Sequence, residues 1–285
     1  MKLARIGSKG AERPALVDGD GRLRSLDGVV SDISGAVLSP DGLAALAALD
    51  VAALPLVEGP VRYGPPVAGI GKFIAIGLNY RDHAEESGNP VPAEPVVFMK
   101  ATSCIAGPDD DVPMPRGSTK MDWEIELGVV IGTRARYVER ADAMAHVAGY
   151  AIVNDISERF DQIERGGTWD KGKGHDGFGP IGPWLVTPDD LGDELREANA
   201  LDMTLDVSGE RRQTGNTASM IFDVPTIVAY VSRFMTLEPG DVICTGTPAG
   251  VGLGMKPQRW LSIGDEMTLS ITGLGEQRQR VIAPL

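Results

Sequence analysis

Hydrophobic and polar positions alternate along residues 121–132, and this alternation predicts a β-strand. Apolar side chains occupy the odd positions from 125 to 131, while Glu124 and Glu126 occupy alternate positions. Side chains two residues apart in a strand share a face, so the two carboxylates lie about 7 Å apart. Two like charges this close require solvation, a shared proton or a cation. The pair predicts either an exposed sheet edge or a hard divalent-metal site with further oxygen ligands.

The same kind of pattern elsewhere predicts a mainly β chain with a few helices. Strand patterns cover residues 72–77, 96–100, 150–155, 201–207, 241–246 and 266–271. Helical patterns cover residues 79–88, 158–165 and 224–237, and the last has the clearest amphipathic period. Residues 171–184 are rich in glycine and proline, which predicts an irregular loop.

Residues 1–66 predict a small, β-rich N-terminal domain. Residues 13–23 resemble a hairpin with Asp-Gly turn chemistry, and Ser39-Pro40 begins a short helix. A connector rich in proline and glycine closes this unit over residues 55–66. We place a domain boundary there, so that residues 67–285 form the second and larger domain.

Composition is that of a globular chain able to bury a sizeable core, with 285 residues, 42% hydrophobic and 24% charged. The net charge of −13 argues against a nucleic-acid partner, because phosphate binding needs clustered lysine and arginine. Cys104 and Cys244 form no disulfide framework and no metal-ligand spacing, which favours a reducing cytoplasm. No run of apolar residues predicts a targeting segment or a membrane span.

Asp155 is a candidate third ligand beside the two glutamates of the first strand. It follows Asn154 at the end of a predicted strand, a common place for side chains that serve a site. Three carboxylates form an all-oxygen set that suits Mg²⁺, Mn²⁺ or Ca²⁺ rather than zinc. An aspartate that only caps the following helix is the alternative that the spacing leaves open.

Among the three histidines, His83 is the strongest candidate for catalysis. Glu86 lies three residues later on the predicted helix, where it can fix the tautomer of His83 and raise its basicity. A solvated histidine beside an incidental glutamate is the alternative. His175, in the glycine-rich loop, is a weaker candidate for lining the site, and His146 is interpreted as structural.

Two loops offer groups that could bind an anion. Lys173 lies among small residues that allow an anion to approach its ammonium, although a solvated lysine is the ordinary alternative. Residues 245–252 place hydroxyls and amides after a strand, which suits a carboxylate. Their glycine spacing differs from that of a dinucleotide loop, and Pro257 would break the following helix, so we reject that interpretation.

Four motifs in this order resemble the fumarylacetoacetate hydrolase family. They are Gly-Leu-Asn-Tyr-Arg-Asp-His-Ala-Glu-Glu at residues 77–86, Glu-x-Glu at 124–126, Asn-Asp-Ile-Ser at 154–157 and Thr-Gly-Thr-Pro-Ala-Gly-Val at 245–251. Trp169 and Lys173 fall at the expected distance. The resemblance runs from about residue 70 to the C-terminus, and the N-terminal unit resembles a small domain of many bacterial members. It implies an α+β, mainly β fold built as a mixed β-sandwich roll, assembled as a homodimer or higher homo-oligomer.

The resemblance also implies a role for each matching residue. It implies Mg²⁺ or Mn²⁺ on Glu124, Glu126 and Asp155, and a water-activating dyad of His83 and Glu86 on a flexible lid. The remaining positions that it assigns are the catalytic Lys173 and the substrate-contacting or orienting Tyr80, Lys100, Arg159, Gln162 and Thr247. Eukaryotic members add an aspartate ligand where this chain has Gly77-Leu78-Asn79, so water is expected there.

The implied reaction is hydrolysis of the C3–C4 bond of a 2,4-diketo acid, giving pyruvate and a carboxylic acid. Residues 178–187 and 232–237 resemble the bacterial 2,4-diketo-3-deoxy-L-rhamnonate or -L-fuconate hydrolases, whose second product is lactate. Similar chains are also labelled ureidoglycolate lyase. The alternatives are therefore a lyase, an oxaloacetate-type decarboxylase, an isomerase, a fumarylpyruvate hydrolase or a non-catalytic metal-binding protein. The His83–Glu86 dyad favours hydrolysis, because decarboxylation needs no activated water.

Overall fold

Strands dominate the regular structure, which confirms the prediction of an α+β, mainly β fold. The computed structural model describes all 285 residues. In chain order the strands are β1 (Lys2–Ile6), β2 (Arg13–Val17), β3 (Leu23–Ser25), β4 (Phe73–Gly77), β5 (Val96–Lys100), β6 (Ile105–Ala106), β7 (Val112–Pro113), β8 (Met121–Asp122), β9 (Ile125–Ile131), β10 (Val147–Asn154), β11 (Ser157–Glu158), β12 (Gly179–Val186), β13 (Asp202–Val207), β14 (Glu210–Asn216), β15 (Val242–Cys244), β16 (Glu266–Ile271) and β17 (Gly275–Ile282). The α-helices are α1 (Pro40–Ala47), α2 (Arg81–Glu86), α3 (Asp170–Lys173) and α4 (Val224–Val231).

Two large sheets enclose most of the core. The first has ten strands in the order β3-β2-β1-β12-β10-β9-β15-β4-β5, with β6 added beside β12. It is mixed, because β15 runs parallel to β4 but antiparallel to β9. The second has five strands in the order β14-β13-β16-β17-β7 and packs against β10 and β12 of the first. Strand β9, which carries Glu126 and begins directly after Glu124, therefore lies inside the large sheet and not at its edge.

The N-terminal strands extend the large sheet. Strand β1 pairs antiparallel with β12, which places Leu3 opposite Leu185. Leu3 and Leu38 belong to the same hydrophobic cluster as the central strands. The predicted boundary at residue 66 falls in a connector, but the sheet and the core continue across it. The division into domains 1–66 and 67–285 stays a prediction.

Within the N-terminal unit, the two predicted local elements form. Strands β2 and β3 pair as a hairpin, with Val17 opposite Leu23. Helix α1 begins where the Ser39-Pro40 signal places it, and the Ser39 hydroxyl accepts a hydrogen bond of 3.1 Å from the Gly42 amide. Both expectations are confirmed.

The prediction of an irregular loop over residues 171–184 is wrong. Helix α3 ends at Lys173, and β12 (Gly179–Val186) lies between β1 and β10 in the large sheet. The glycines serve close packing here, because a Cβ on Gly179 would lie 2.5 Å from the Phe73 ring. The pairing of β12 with β10 shifts register between Tyr150 and Ile152, so the strand departs from regular alternation.

Helix α4 ends earlier than the pattern over residues 224–237 predicts. The Ser232 hydroxyl donates to the Ala229 carbonyl at 2.8 Å and accepts from the Val138 amide at 2.9 Å. Leu237 then bridges to Ala135 in an extended conformation, so the chain leaves the helix before that residue. Phe234, an apolar residue within the predicted amphipathic range, is 65% exposed.

The helix predicted over residues 79–88 forms as the shorter α2. Tyr80 occupies its N-cap position, and Asn79, the first residue of the predicted pattern, lies outside the helix. The side-chain amide of Asn79 instead donates through Nδ2 to the Thr245 carbonyl at 2.7 Å. Its Oδ1 accepts from the backbone amide of Phe222 at 2.8 Å. The expected helix over residues 158–165 is a π-helix over Phe160–Glu164. None of the helices in the structure combines the length and apolar character needed to cross a membrane.

Replacing Leu38 with alanine tests whether the two predicted domains share one core. Its carbonyl and side chain approach Gly132 and Gly240 of the larger predicted domain. We expect Leu38→Ala to lower the free energy of unfolding by about 2–5 kcal/mol. Urea unfolding followed by circular dichroism and by tryptophan fluorescence should show one shared transition.

The matched control is Leu56→Ala in the same unit, where the side chain is 45% exposed. It should change stability by less than about 0.5 kcal/mol. Two separate transitions, with only one shifted by Leu38→Ala, would instead support an independently folded N-terminal domain.

Candidate active site

The first predicted strand forms in two pieces, and the break carries a glutamate of the site. Trp123 and Glu124 separate β8 from β9. The Glu124 amide donates to the Asn154 side chain at 3.2 Å, and its carbonyl accepts from the Asp155 amide at 2.9 Å. Glu124 and Glu126 are only 4% and 2% exposed. An exposed sheet edge is therefore excluded.

Strand pairing brings the third carboxylate to the other two. In the register of β9 with β10, Asn154 lies opposite Ile125, so Asp155 follows β10 directly beside Glu124. Ligand oxygens of Glu124, Glu126 and Asp155 all lie within 4.8 Å of one another, and all three residues are buried. The spacing alone left the position of Asp155 open, and the structure places it in the triad.

Three buried cations compensate part of this negative charge. Lys173 Nζ donates to Glu124 Oε2 at 2.5 Å and to Asp155 Oδ2 at 2.7 Å. Arg159 donates to Glu124 Oε1 at 2.6 Å and to Asp122 Oδ2 at 2.8 Å. Burial alone would raise the pKa of Glu124, but Arg159 and Lys173 outweigh burial and hold that pKa well below its usual range. The third cation, Lys100, donates to Asp155 Oδ1 at 2.5 Å.

Glu126 has no such partner. It accepts one hydrogen bond, from the Gly246 amide at 2.7 Å, and no ion pair. Burial, together with the nearby Asp155 and Glu124, raises its pKa well above the usual range of a carboxyl group. A divalent cation would supply the missing positive charge, and an all-oxygen donor set suits a hard cation. Glu124, Glu126 and Asp155 therefore fit Mg²⁺ or Mn²⁺.

Glu124 and Glu126 of the triad line a cavity of about 470 Å³. The acidic side chains and the cations Lys173 and Arg159 form one part of its wall, and Phe98 and Trp169 form another. These two rings stack edge to face with centroids 5.2 Å apart. The remaining lining residues are Ile76, Gly77, Leu78, His83, Glu86, Ser87, Asn89, Gln162, Ile163, Thr247, Leu253 and Gln258.

His83 and Glu86 lie on the wall of the same cavity, as the spacing on a helix predicts. His83 Nδ1 is 3.7 Å from Glu86 Oε2, an ion-pair distance that is too long for a hydrogen bond. His83 Nδ1 is buried and has no hydrogen-bond partner. Both carboxylate oxygens of Glu86 instead accept from the Gly250 amide, at 3.0 and 3.1 Å. The two side chains are neighbours but do not form a closed dyad.

Gln162 and Thr247 also line the cavity, where the resemblance assigned substrate contacts. Gln162 Oε1 accepts from Arg159 at 2.9 Å, which fixes its amide beside the triad. The Thr247 hydroxyl donates to the Ile125 carbonyl at 2.8 Å and accepts from Gln213 at 2.7 Å. Their contact with a substrate stays a prediction.

Tyr80 and Lys100 lie behind the cavity wall. The Tyr80 hydroxyl donates to Met203 Sδ at 3.2 Å, and the whole residue is buried. Lys100 donates to Asp155 and also to the Lys173 carbonyl at 2.6 Å. Neither Tyr80 nor Lys100 is among the residues that line the cavity. Lys100 is placed to hold Asp155 and Lys173 in position.

The two other histidines lie outside the cavity. His175 Nε2 lies 3.0 Å from Asp161 Oδ2, and its ring stacks edge to face on Phe178. His175 therefore does not line the site, contrary to the weaker candidacy considered above. His146 Nδ1 lies 3.2 Å from the Thr133 carbonyl, consistent with the structural interpretation.

Two buried polar residues that we did not single out from the sequence support the site. Asp122 accepts from Arg159 and from the amides of Gly252 at 2.7 Å and Leu253 at 3.1 Å. Its position two residues before Glu124 was an available signal, because it shares the alternation of the two glutamates. Gln213, on β14, accepts from the Ile125 amide at 3.0 Å, and no local pattern marks it.

The cavity thus combines a carboxylate triad, buried cations and an imidazole, which together define an enzyme active site. Comparison with known proteins gives the same class. A family model described as fumarylacetoacetate (FAA) hydrolase C-terminal matches residues 72–282. The chain belongs to the fumarylacetoacetate hydrolase family and is a hydrolase.

Relatives and solved structures match along the whole chain. A protein of Sphingomonas sp. (strain SKA58) named 2,4-didehydro-3-deoxy-L-rhamnonate hydrolase is 56% identical over 282 residues, covering 99% of this chain and 96% of the relative. A fumarylacetoacetate hydrolase from Exiguobacterium antarcticum has a TM-score of 0.84 at 35% identity, over 99% of both chains. A maleylpyruvate hydrolase from Sphingobium sp. SYK-6, solved with manganese(II) and pyruvate, has a TM-score of 0.81 at 30% identity, over 100% of both chains.

Glu126→Gln tests whether the triad holds a divalent cation. The amide oxygen can still accept from Gly246, but the charge that would bind a cation is removed. With Mn²⁺ at 100 times its Kd, the free energy of unfolding of the wild-type protein should be about 2.7 kcal/mol higher than in EDTA. The variant should lose this gain and should be at least as stable as wild type in EDTA, because no buried carboxylate is left without a partner.

Thermal melting in EDTA and in excess MnCl₂ measures both effects. Glu164→Gln, which replaces a glutamate whose side chain is 46% exposed, is the control and should keep the full response. A Glu126→Gln protein that Mn²⁺ stabilises as strongly as wild type would remove Glu126 from the proposed ligand set.

Proposed function

We propose that the chain hydrolyses the C3–C4 bond of a 2,4-diketo acid with Mg²⁺ or Mn²⁺ as cofactor. The observation that carries the proposal is one cavity lined by Glu124 and Glu126 of the carboxylate triad and by the His83–Glu86 pair. The substrate that we propose is 2,4-diketo-3-deoxy-L-rhamnonate, cleaved to pyruvate and L-lactate. The name of the 56% identical relative supports this substrate, and the manganese and pyruvate of the maleylpyruvate hydrolase support the metal and the product.

The L-rhamnonate and L-fuconate series converge on the same substrate. In the 2,4-diketo-3-deoxy acid, C2 and C4 are carbonyls and C3 is a methylene. C5 is then the only stereocentre left, and it has the same configuration in both L-sugars. One active site therefore serves both series, and the two alternatives raised by the sequence describe one chemical substrate.

Glu124, Glu126 and Asp155 would hold the metal. When bound, Mg²⁺ or Mn²⁺ supplies a Lewis acid for the oxygens of a chelating 2-keto acid. The buried cations Lys173 and Arg159 stand beside the same carboxylates and add positive charge to this end of the cavity. This arrangement suits an anionic substrate whose carboxylate enters toward the triad.

His83 is positioned to activate water. Glu86 lies on the Nδ1 side of the ring, so Nε2 is the atom that accepts a proton from the attacking water. Addition of hydroxide to C4 and cleavage of the C3–C4 bond release the acid fragment and leave the electron pair on C3. The ammonium of Lys173 stabilises the resulting pyruvate enolate, which then takes a proton at C3. Arg159 and Gln162 orient the substrate and the attacking water beside Lys173.

A homodimer or higher homo-oligomer in the cytoplasm is part of the same proposal. The assembly rests on the family resemblance, and the cytoplasm rests on the two free cysteines, Cys104 and Cys244. Neither a nucleic acid nor a membrane is a proposed partner, and the small diketo acid is the ligand that the cavity is expected to bind.

Pyruvate release from a panel of acids tests the proposed reaction. With Mn²⁺, 2,4-diketo-3-deoxy-L-rhamnonate should yield equal amounts of pyruvate and L-lactate, and EDTA should stop the release. Acetylpyruvate, which lacks the C5 hydroxyl, and fumarylpyruvate should react more slowly. Pyruvate formed from oxaloacetate, with every diketo acid left intact, would overturn hydrolysis in favour of decarboxylation.

His83→Ala tests the role of the imidazole. General-base catalysis contributes typically about 10²- to 10⁴-fold, so kcat for diketo-acid cleavage should fall by about that factor. Mn²⁺ binding, measured by the melting shift, should persist because His83 is not among the triad ligands. His146→Ala is the matched control and should retain activity. Full cleavage by His83→Ala protein would eliminate His83 as the water-activating base.

A further inference from the structure

The loop after β15 contains a short segment, residues 250–254, with glycine at every second position. Its amides bind two carboxylates of the site. The Gly250 amide donates to both oxygens of Glu86, while the amides of Gly252 and Leu253 donate to Asp122. Asp122 in turn accepts from Arg159. The segment thus contacts Glu86, the neighbour of the proposed base His83, and Asp122, the partner of Arg159.

We propose that residues 250–254 form a carboxylate clamp and that Gly254 is a positioning residue for Glu86. A Cβ on Gly254 would lie 2.2 Å from Glu86 Cγ and 2.3 Å from Glu86 Cδ. Real side chains do not approach so closely, so any residue other than glycine displaces the Glu86 side chain. The role assigned to Glu86 rests on the proposed function.

Gly254 is required for space and not for backbone conformation. Its φ lies outside the left-handed region, which alanine rarely adopts, so Gly254→Ala places no strain on the backbone. Gly250 differs, because its φ is +108° and a Cβ there would lie 2.0 Å from the Arg212 carbonyl oxygen. Gly254 is therefore the position at which the Glu86 contact can be changed alone.

The clamp controls the distance between Glu86 and His83. Glu86 Oε2 is 3.7 Å from His83 Nδ1, which has no other partner. A movement of about 0.5–1 Å brings these atoms within hydrogen-bond range. The Gly250 amide binds the Glu86 carboxylate, and the absence of a side chain at Gly254 leaves room for it. Together they hold the carboxylate 3.7 Å from His83 Nδ1. A methyl group at residue 254 forces Glu86 away and leaves the imidazole without its orienting partner.

Kinetics of the Mn²⁺-loaded enzyme with the diketo acid test the proposal. Gly254→Ala should lower kcat by about 10- to 100-fold, within the range of general-base catalysis, with KM and Mn²⁺ binding unchanged. In a Glu86→Ala background, the same substitution should lower kcat by less than about twofold further, because the group it displaces is gone. Gly19→Ala, where a Cβ meets nothing within 4 Å, is the matched control and should be indistinguishable from wild type.

The ring signals of His83 provide a readout that needs no turnover. In ¹³C–¹H NMR spectra, Gly254→Ala should shift the His83 signal in the same direction as Glu86→Gln, while His146 and His175 stay in place. Absence of pyruvate release by the wild type would refute the proposed function but not the clamp. An unshifted His83 signal, or a Gly254→Ala loss that persists fully in the Glu86→Ala background, would refute the clamp.

Discussion

The ion pairs that Lys173 and Arg159 form with Glu124 are the constraint on which the site depends. Charges in a protein interior are destabilising unless they are paired and hydrogen-bonded. Glu124 meets both cations on its two oxygens, at 2.5 and 2.6 Å. The partners come from α3 and from the start of the π-helix, which are far from β9 in the chain. Pairing Glu124 therefore requires the segments around β9, β10 and α3 to pack together.

Backbone amides of one loop bind three carboxylates of the site, of which Glu126 and Glu86 have no lysine or arginine partner. This loop follows β15 in the large sheet and spans residues 246–254. Gly246 binds Glu126, Gly250 binds Glu86, and Gly252 binds Asp122. Backbone amides are neutral donors, so they orient carboxylates without cancelling their charge. Glu126 therefore has no side-chain cation to offset its charge, whereas Glu124 has two, and a bound metal ion would supply the positive charge that Glu126 lacks.

The carboxylate pair could be predicted from the sequence, because strand alternation is local. Glu124 and Glu126 share a face in any strand, and the structure keeps their carboxylates together even though β8 and β9 break at Trp123. The partners of these glutamates could not be predicted in the same way. Gln213 reaches the Ile125 amide across 88 residues, and only the folded sheet brings it there. Strand β12 was missed because it is rich in glycine and proline, which locally predict a loop. Its glycines allow close packing against other elements, and a local pattern contains no information about that packing.

Lys100 shows that a matching residue type does not determine whether the side chain reaches the cavity. The resemblance placed a lysine of the right kind near the substrate, and Lys100 does lie near the triad, but it faces inward. Its ammonium joins Asp155 Oδ1 to the Lys173 carbonyl, and Lys173 Nζ joins Asp155 Oδ2 to Glu124. Asp155 is thus held from both oxygens by two lysines that are themselves connected. Lys100 supplies rigidity and Lys173 faces the cavity, so two identical side chains serve one carboxylate in different ways.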